Sequence, residues 1–205
     1  MNNSGLNTES IILEAAEAEF LEKGFGSTKM MAIAKRANVS HSMLHYYFRN
    51  KENLFHTIFL QKAQTLLPLF ENVFEQQLPF VDTVRFIMET QFRFLTQNPK
   101  LPLFLITEIL TNKDNRLLLF KVLSPKIIKI IAKFNEMLDA EVKKGTIRPI
   151  QFLDFFMNIV ALNASIFIVL PVLQDMKTQI DVNRQEVLKE RLESNIQFVL
   201  AALRP

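Results

Sequence analysis

The chain is predicted to be all-α: an N-terminal three-helix head containing a helix-turn-helix, then a longer helical body. Three observations predict it. Of its 205 residues only four are glycine and none is cysteine, in a composition rich in Leu, Ile, Phe, Lys and Glu that favours helix. No run alternates apolar and polar residues as a half-buried strand would. The stretch Thr28–Leu54, TKMMAIAKRANVSHSMLHYYFRNKENL, reads as two short helices joined by a tight turn, with a third helix opening on a lysine.

The elements follow from local signals. Residues 1–8 are polar and expected to be disordered. Ser10–Lys23 reads as the first helix, with Ile12, Leu13, Ala16 and Phe20 on one face, and Gly24 as its stop. Thr28 is expected to cap a second helix, Lys29–Ala37, whose Ile33 and Ala34 face inward. Asn38 stands where the turn requires positive φ, which Asn tolerates better than most residues. Ser40 is expected to cap a third helix, His41–Tyr47, with Leu44 and then Phe48 pointing to the core. Asn50 is expected to cap a fourth, with Glu52 in its first turn. That helix extends toward Gln76, kinked or broken at Pro68. Further helices are expected over Pro79–Gln97, Pro102–Thr111, Arg116–Lys144 (interrupted near Ser124-Pro125 and stopped by Gly145), Pro149–Val172 and Arg184–Leu203. The last carries the stripe Leu188, Leu192, Ile196 and Val199. The domain reading is a disordered 1–8, a head over 9–54 and a body over 55–205.

Charge distribution says more than net charge. The formal net charge is only +3, yet Lys23 to Lys51 holds six Lys or Arg and no Asp or Glu. Both tyrosines and all three histidines fall in or just after this window. Such a window suits a modest phosphate footprint rather than a coat along nucleic acid. Absent cysteine excludes disulfides, thiolate metal sites and a Cys nucleophile, and fits a cytoplasmic protein. No signal peptide is visible. The longest apolar stretch, Ile159–Leu173, is shorter than the roughly 20 residues of a membrane span, so a buried helix is expected and no membrane partner. No paired carboxylates, nucleophile elbow, phosphate-cradling glycine loop or three-residue metal set is present, so no enzyme, cofactor or metal is expected. His41 and His45, four apart, lack a third ligand.

Ile12, Ala15-Ala16, Phe20, Gly24-Phe25, Thr28, Ile33-Ala34, Ala37, Val39-Ser40, Leu44, Tyr46, Phe48, Lys51-Glu52 and Leu54 occur in one order. In that order they resemble the N-terminal domain of the tetracycline-repressor (TetR) family of bacterial regulators. The resemblance covers about a quarter of the chain; beyond it only Gly145–Pro149, GTIRP, looks family-like. It implies a homodimer whose third helix enters the major groove of a half-site. It also implies C-terminal helices forming a ligand pocket and dimer interface, and a small molecule that releases the repressor from its operator. The chain departs from the family's usual residues at His41, Ser42, Met43 and His45, which leaves the docking mode intact and changes the base contacts.

Candidate double-stranded DNA contacts are Thr28, Lys29, Ser40, His41, Ser42, Met43, His45, Tyr46 and Lys51. Lys51 opposes the dipole of the helix it opens, a cost that makes sense if a phosphate arrives there; the plain alternative is a solvated lysine. Met43 suits a thymine methyl, and His45 a base edge or phosphate. Lys35 and Arg36 read as surface residues. Sixteen of nineteen phenylalanines follow residue 51, so an effector should be hydrophobic or aromatic. Its candidate contacts are Phe86, Phe104, Thr107, Glu108, Phe120, Phe155, Asn158, Asn163 and Phe167, each of which could instead be plain core or a helix–helix hydrogen bond. The last two long helices are the dimer candidates. The leading expectation is a ligand-responsive repressor on a pseudo-palindromic operator. The alternative is a protein-interaction co-activator on the same scaffold.

Overall fold

The computed structural model describes residues 3–65, 67–175 and 183–205. Among them there is helix and no strand. The chain divides into two compact units. The first comprises 1–65 and 103–122, the second 66–102 and 123–205.

In the first unit, α1 (Asn3–Ser27), α2 (Met30–Arg36), α3 (His41–Tyr47) and α4 (Lys51–Gln64) form the head. α1 packs on α2 and on α4, and α2 on α3. The expected inward residues Ile12, Ala16, Phe20, Ile33, Ala34, Leu44 and Phe48 are all buried. Leu13 is only half-buried, and Ala15 takes its place in the core. Phe20, Phe25 and Phe55 form an aromatic knot, with Phe55 set edge-on to both rings at 5.0 and 4.8 Å. Phe55, Ile58 and Phe59 are buried as well, so α4 stays with the head past the expected boundary after Leu54, to Thr65.

α1 begins at Asn3, so the expected disorder of residues 3–8 is corrected to helix; residues 1–2 lie outside the described residues. Extending an existing helix fixes one residue per hydrogen bond and needs no new nucleus. Gly24 interrupts α1 with φ 73° and ψ 169°. That backbone region is essentially reserved for glycine, and it is extended rather than left-handed helical. Asn38 has the positive φ its turn requires, 53°. Ser40 and Asn50 cap α3 and α4 through side-chain oxygens that accept from Met43 N (3.1 Å) and Asn53 N (2.8 Å).

α4 ends at Gln64, and Pro68 opens a short α5 (Pro68–Glu71), followed by a 3-10 turn, Asn72–Glu75. α6 (Phe80–Gln97) starts after Pro79, and α7 spans Leu101–Thr111. α8 runs unbroken over Lys113–Lys143 with Pro125 inside it, against the expected interruption. Pro125 lies on an exposed turn, where the residue 121 carbonyl left without an N–H partner can be hydrated. Gly145, φ 71°, follows the helix.

α9 (Phe152–Asp175) and α10 (Arg184–Ala202) complete the second unit. α6, α9 and α10 pack against one another. Leu188, Ile196 and Val199 are buried as their stripe predicted, and Leu192 is half-buried. Phe92 and Phe167 meet at 5.2 Å in this core. Arg148 turns back on the end of α10, where its Nε donates to Ala202 O at 2.5 Å and its backbone N–H to Leu203 O at 3.0 Å. The orphan carbonyls of that terminus are thereby satisfied. Phe152–Val172 has mean hydropathy 2.1 and is, by length and composition alone, long enough to cross a membrane, with a third of it buried. The sequence expectation of too short a stretch is corrected because the apolar helix starts seven residues earlier than Ile159.

Candidate nucleic-acid interface

α3 is amphipathic in a way that separates its two jobs. Leu44 is wholly buried, anchoring the helix through α2 to the head. His41, Ser42, Met43, His45 and Tyr46 are all exposed, Tyr46 to 81%. Ser40 is exposed, and its Oγ lies 2.9 Å from Ser42 Oγ. Lys29 is exposed at the N-cap of α2. Seven of the nine DNA candidates therefore reach solvent.

The rings on this face are ordered by one another. His41 and His45 stand edge to face at 4.4 Å, and Tyr46 and Tyr47 likewise at 5.4 Å. His45 Nδ1 lies 3.0 Å from Arg49 O. A carbonyl can only accept, so Nδ1 is the donor of that bond, and Nε2 is turned away from it. An outward ring nitrogen of this kind can meet a base edge in the major groove.

Two candidates behave otherwise. Thr28 is 2% exposed, and its hydroxyl shares its proton between Gly24 O (2.8 Å) and Glu19 O (3.2 Å). It does not cap α2; Lys29 occupies the N-cap without a side-chain bond. The break at Gly24 strands carbonyls at the end of α1, and Thr28 turns inward to satisfy them. Its expected capping role is corrected, and its hydroxyl is engaged inside the protein.

Lys51 has internal partners that its sequence context does not show. Its Nζ donates to Phe25 O at 2.9 Å and to Thr28 O at 3.1 Å, and sits 4.3 Å from the centre of the Phe25 ring. Two of its three ammonium protons are spent on the α1–α2 connection, and the aromatic face covers another side. Internal carbonyls and the Phe25 ring thus meet its charge at the start of α4.

Arg36, read from sequence as plain surface, binds Glu19 at 2.9 Å and Glu22 at 3.1 Å, while Lys23 binds Glu19 at 2.6 Å. The Lys23 hydrogen bond, then that of Arg36, hold the Glu19 carboxyl below its usual range against the opposing effect of burial. Glutamates of α1 thus neutralise cations of the acid-free window, which no charge count along the sequence reveals. Lys62 pairs with Glu17 at 2.6 Å.

The effector candidates fall in both units. Phe104, Thr107, Glu108 and Phe120 belong to the first; Phe86, Phe155, Asn158, Asn163 and Phe167 belong to the second. Phe104 packs on Phe55 and Phe59 at 5.7 and 6.3 Å. Thr107 is exposed, Glu108 is buried, and Phe120 is 72% exposed. Phe86 is half-buried, and Asn158 is exposed beside a small cleft lined by Ile150, Phe155, Phe198, Val199 and Leu203. Asn163 is 0% exposed; its Nδ2 donates to Met88 O and Gln91 Oε1 at 3.0 Å each, and its Oδ1 accepts from Asn195 at 3.1 Å. That amide is fully engaged in joining α6, α9 and α10, so its expected role as an orienting ligand group is corrected. Phe155 and Phe167 are buried against Phe134 (6.2 Å) and Phe92, as core.

A buried-based, outward-faced second helix after a tight turn defines a helix-turn-helix protein with a helical body. Residues 12–58 match the family model for bacterial regulatory proteins of the tetR family. That match places the head among tetR-type bacterial regulatory proteins by similarity, and the described residues share the all-helical fold of solved TetR family regulators. It is 34% identical over 79 residues to the uncharacterized HTH-type transcriptional regulator YhgD of Bacillus subtilis, covering 38% of this chain and 41% of that one. It is 37% identical over 82 residues to the HTH-type transcriptional regulator UidR of Escherichia coli, covering 40% and 41%. The chain thus spans about two-fifths of the length of these relatives. A TetR family regulator from Marinobacter aquaeolei has the same fold, with a TM-score of 0.69 at 19% identity over 99% of this chain and 98% of that one.

Proposed function

We propose that this chain is a DNA-binding transcriptional regulator, a cytoplasmic repressor that binds a pseudo-palindromic operator as a homodimer and leaves it when a small hydrophobic ligand binds. The observation that carries the reading is the exposed row on α3, held from behind by buried Leu44. A recognition helix needs base-edge side chains on one face and a rigid anchor on the other. Lys29, Ser40, His41, Ser42, Met43, His45 and Tyr46 are the proposed DNA contacts. Of the effector candidates, Phe86, Phe104, Thr107, Glu108, Phe120 and Asn158 remain in this proposal.

Dimerisation is supported by apolar side chains without partners on the last two helices. Leu153, Met157 and Val172 of α9 and Phe198 of α10 are each more than half exposed. Residues 153, 157 and 172 lie on one face of a 3.6-residue helix. A second copy covering them accounts for an apolar helix without requiring lipid, and two-fold symmetry then sets two α3 helices about 34–36 Å apart.

The test is a salt-titrated DNA-binding assay on the intergenic region upstream of the chain's own gene. Specific binding with a linear dependence of log affinity on log salt is expected. Binding without a salt slope, or none at all, would leave the co-activator reading in its place.

A further inference from the structure

Glu108 and Asn115 make a buried site with one acceptor oxygen unpartnered and a carboxyl without a cation. Glu108, on α7 in the first unit, is 7% exposed. Its Oε2 accepts from Asn115 Nδ2 at 3.1 Å, and the Phe25 backbone hydrogen-bonds to the same carboxyl. No Lys, Arg or His forms an ion pair with it among the described residues. Asn115 is 0% exposed, and its Oδ1 is a buried side-chain oxygen with no hydrogen-bond partner. Asn115 Oδ1 thus lacks a donor, and the Glu108 carboxyl bonded to the same amide lacks a positive charge.

Buried carboxylates are ordinarily paired, and buried amide oxygens ordinarily accept. Burial pushes the Glu108 carboxyl up from its usual range, the signature of a charge that nothing nearby balances. A water could serve Asn115 but would leave the charge uncompensated. A primary ammonium carries three donors and the missing charge, so one group could serve both oxygens. Phe104 lies one turn before Glu108 on α7 and packs on Phe55 and Phe59, so aromatic faces lie close at hand for a cation and an apolar body.

We propose that Glu108 and Asn115 form the receptor point for a primary ammonium group carried on an aromatic or apolar body. The effector class is therefore an organic amine rather than a neutral or acidic hydrophobe. The effector role rests on reading the chain as a ligand-responsive regulator; the site does not.

The experiment is calorimetric titration of the full chain with 2-phenylethylammonium and, as the oppositely charged match, 3-phenylpropanoate. The ammonium should bind saturably and the carboxylate should not. Glu108→Gln, which keeps shape and removes charge, should weaken the ammonium at least tenfold. Asn115→Asp, which adds charge, should hold it as tightly or more tightly. Absence of ammonium binding, equal binding by E108Q, or a crystal grown with the ammonium that holds only water on Asn115 would each overturn the proposal. DNA binding measured on the same samples separates the two readings. Operator binding without ammonium binding removes only the amine site. Ammonium binding that depends on Glu108 in a protein that ignores DNA removes only the regulator.

Discussion

Lys51 Nζ donates to the carbonyl oxygen of Phe25 at 2.9 Å, tying the start of α4 to the end of α1. The same ammonium holds Thr28 O, whose own side chain bonds back to Gly24 O. The α1–α2 connection is therefore fixed from both sides before α2 and α3 begin. The position of α3 depends on that clamp, and Lys51 is part of the frame that holds it.

Lys51→Met should thus act on stability first. Losing two charge-assisted bonds and a ring contact should cost the head about 2 kcal/mol. DNA affinity should fall while the slope of log affinity against log salt stays unchanged. Thermal unfolding and a salt-titrated binding curve on the same variant check both; a slope smaller by about one would restore a phosphate contact.

Tyr46→Ala should do the reverse. With its ring 81% exposed, the side chain contributes little to packing. The melting temperature should stay within about 1 °C of the parent, since surface changes of this kind stay within roughly 0.5 kcal/mol. Operator affinity should drop about tenfold. Lys29→Ala, at an equally free position, should lower the salt slope by about one.

Glu108 gives a pH signature of unusual sign. Its carboxyl is raised above the ordinary 4.5 by burial, so the folded protein holds that proton more tightly than the unfolded chain does. Stability from this group is therefore gained as pH falls through the raised value toward 4.5, and lost as pH rises through it. Glu108→Gln removes the buried charge and can offer a donor to Asn115 Oδ1. It should stabilise the protein at pH 8 by about 1–2 kcal/mol. That advantage should shrink as pH falls toward 4.5, read from denaturant midpoints across the range. Glu19 has the opposite sign: its lowered carboxyl, held first by Lys23, gives stability that is lost as pH falls below 4.5.

Asn163→Leu should be costly in a way no ligand repairs. It leaves Gln91 Oε1 without its donor and Asn195 without one of its acceptors inside the second unit's core. A loss of about 2–3 kcal/mol in unfolding free energy is expected. Effector affinity, measured below the shifted melting temperature, should be unchanged.

Phe198→Glu places a charge on the exposed apolar face of α10. The chain should sediment as a monomer and bind a two-half-site operator at least a hundredfold more weakly, because linked heads share one effective concentration. Its helical circular dichroism should match the parent.

Much of the fold was legible because it depends on short-range rules. The turn at Asn38, the caps at Ser40 and Asn50, the span His41–Tyr47 and the break at Pro68 are each set by a few neighbouring residues. The outward row on α3 follows from helical period once Leu44 and Phe48 are recognised as apolar anchors. Pro125 was the local rule that failed, because a proline on a hydrated turn need not end a helix.

The destinations of polar side chains were not legible. Thr28, Arg36, Lys51 and Asn163 have ordinary local contexts, and what each does depends on partners 4, 17, 26 and 75 residues away. Sequence by itself determined where the helices lie and which face of α3 is free, because backbone bonding and periodicity act over a few residues. Only the tertiary structure decided which charges are spent inside the protein and which remain for DNA or a ligand. A hydrogen bond requires two groups within about 3 Å, and that distance exists only after the chain has folded.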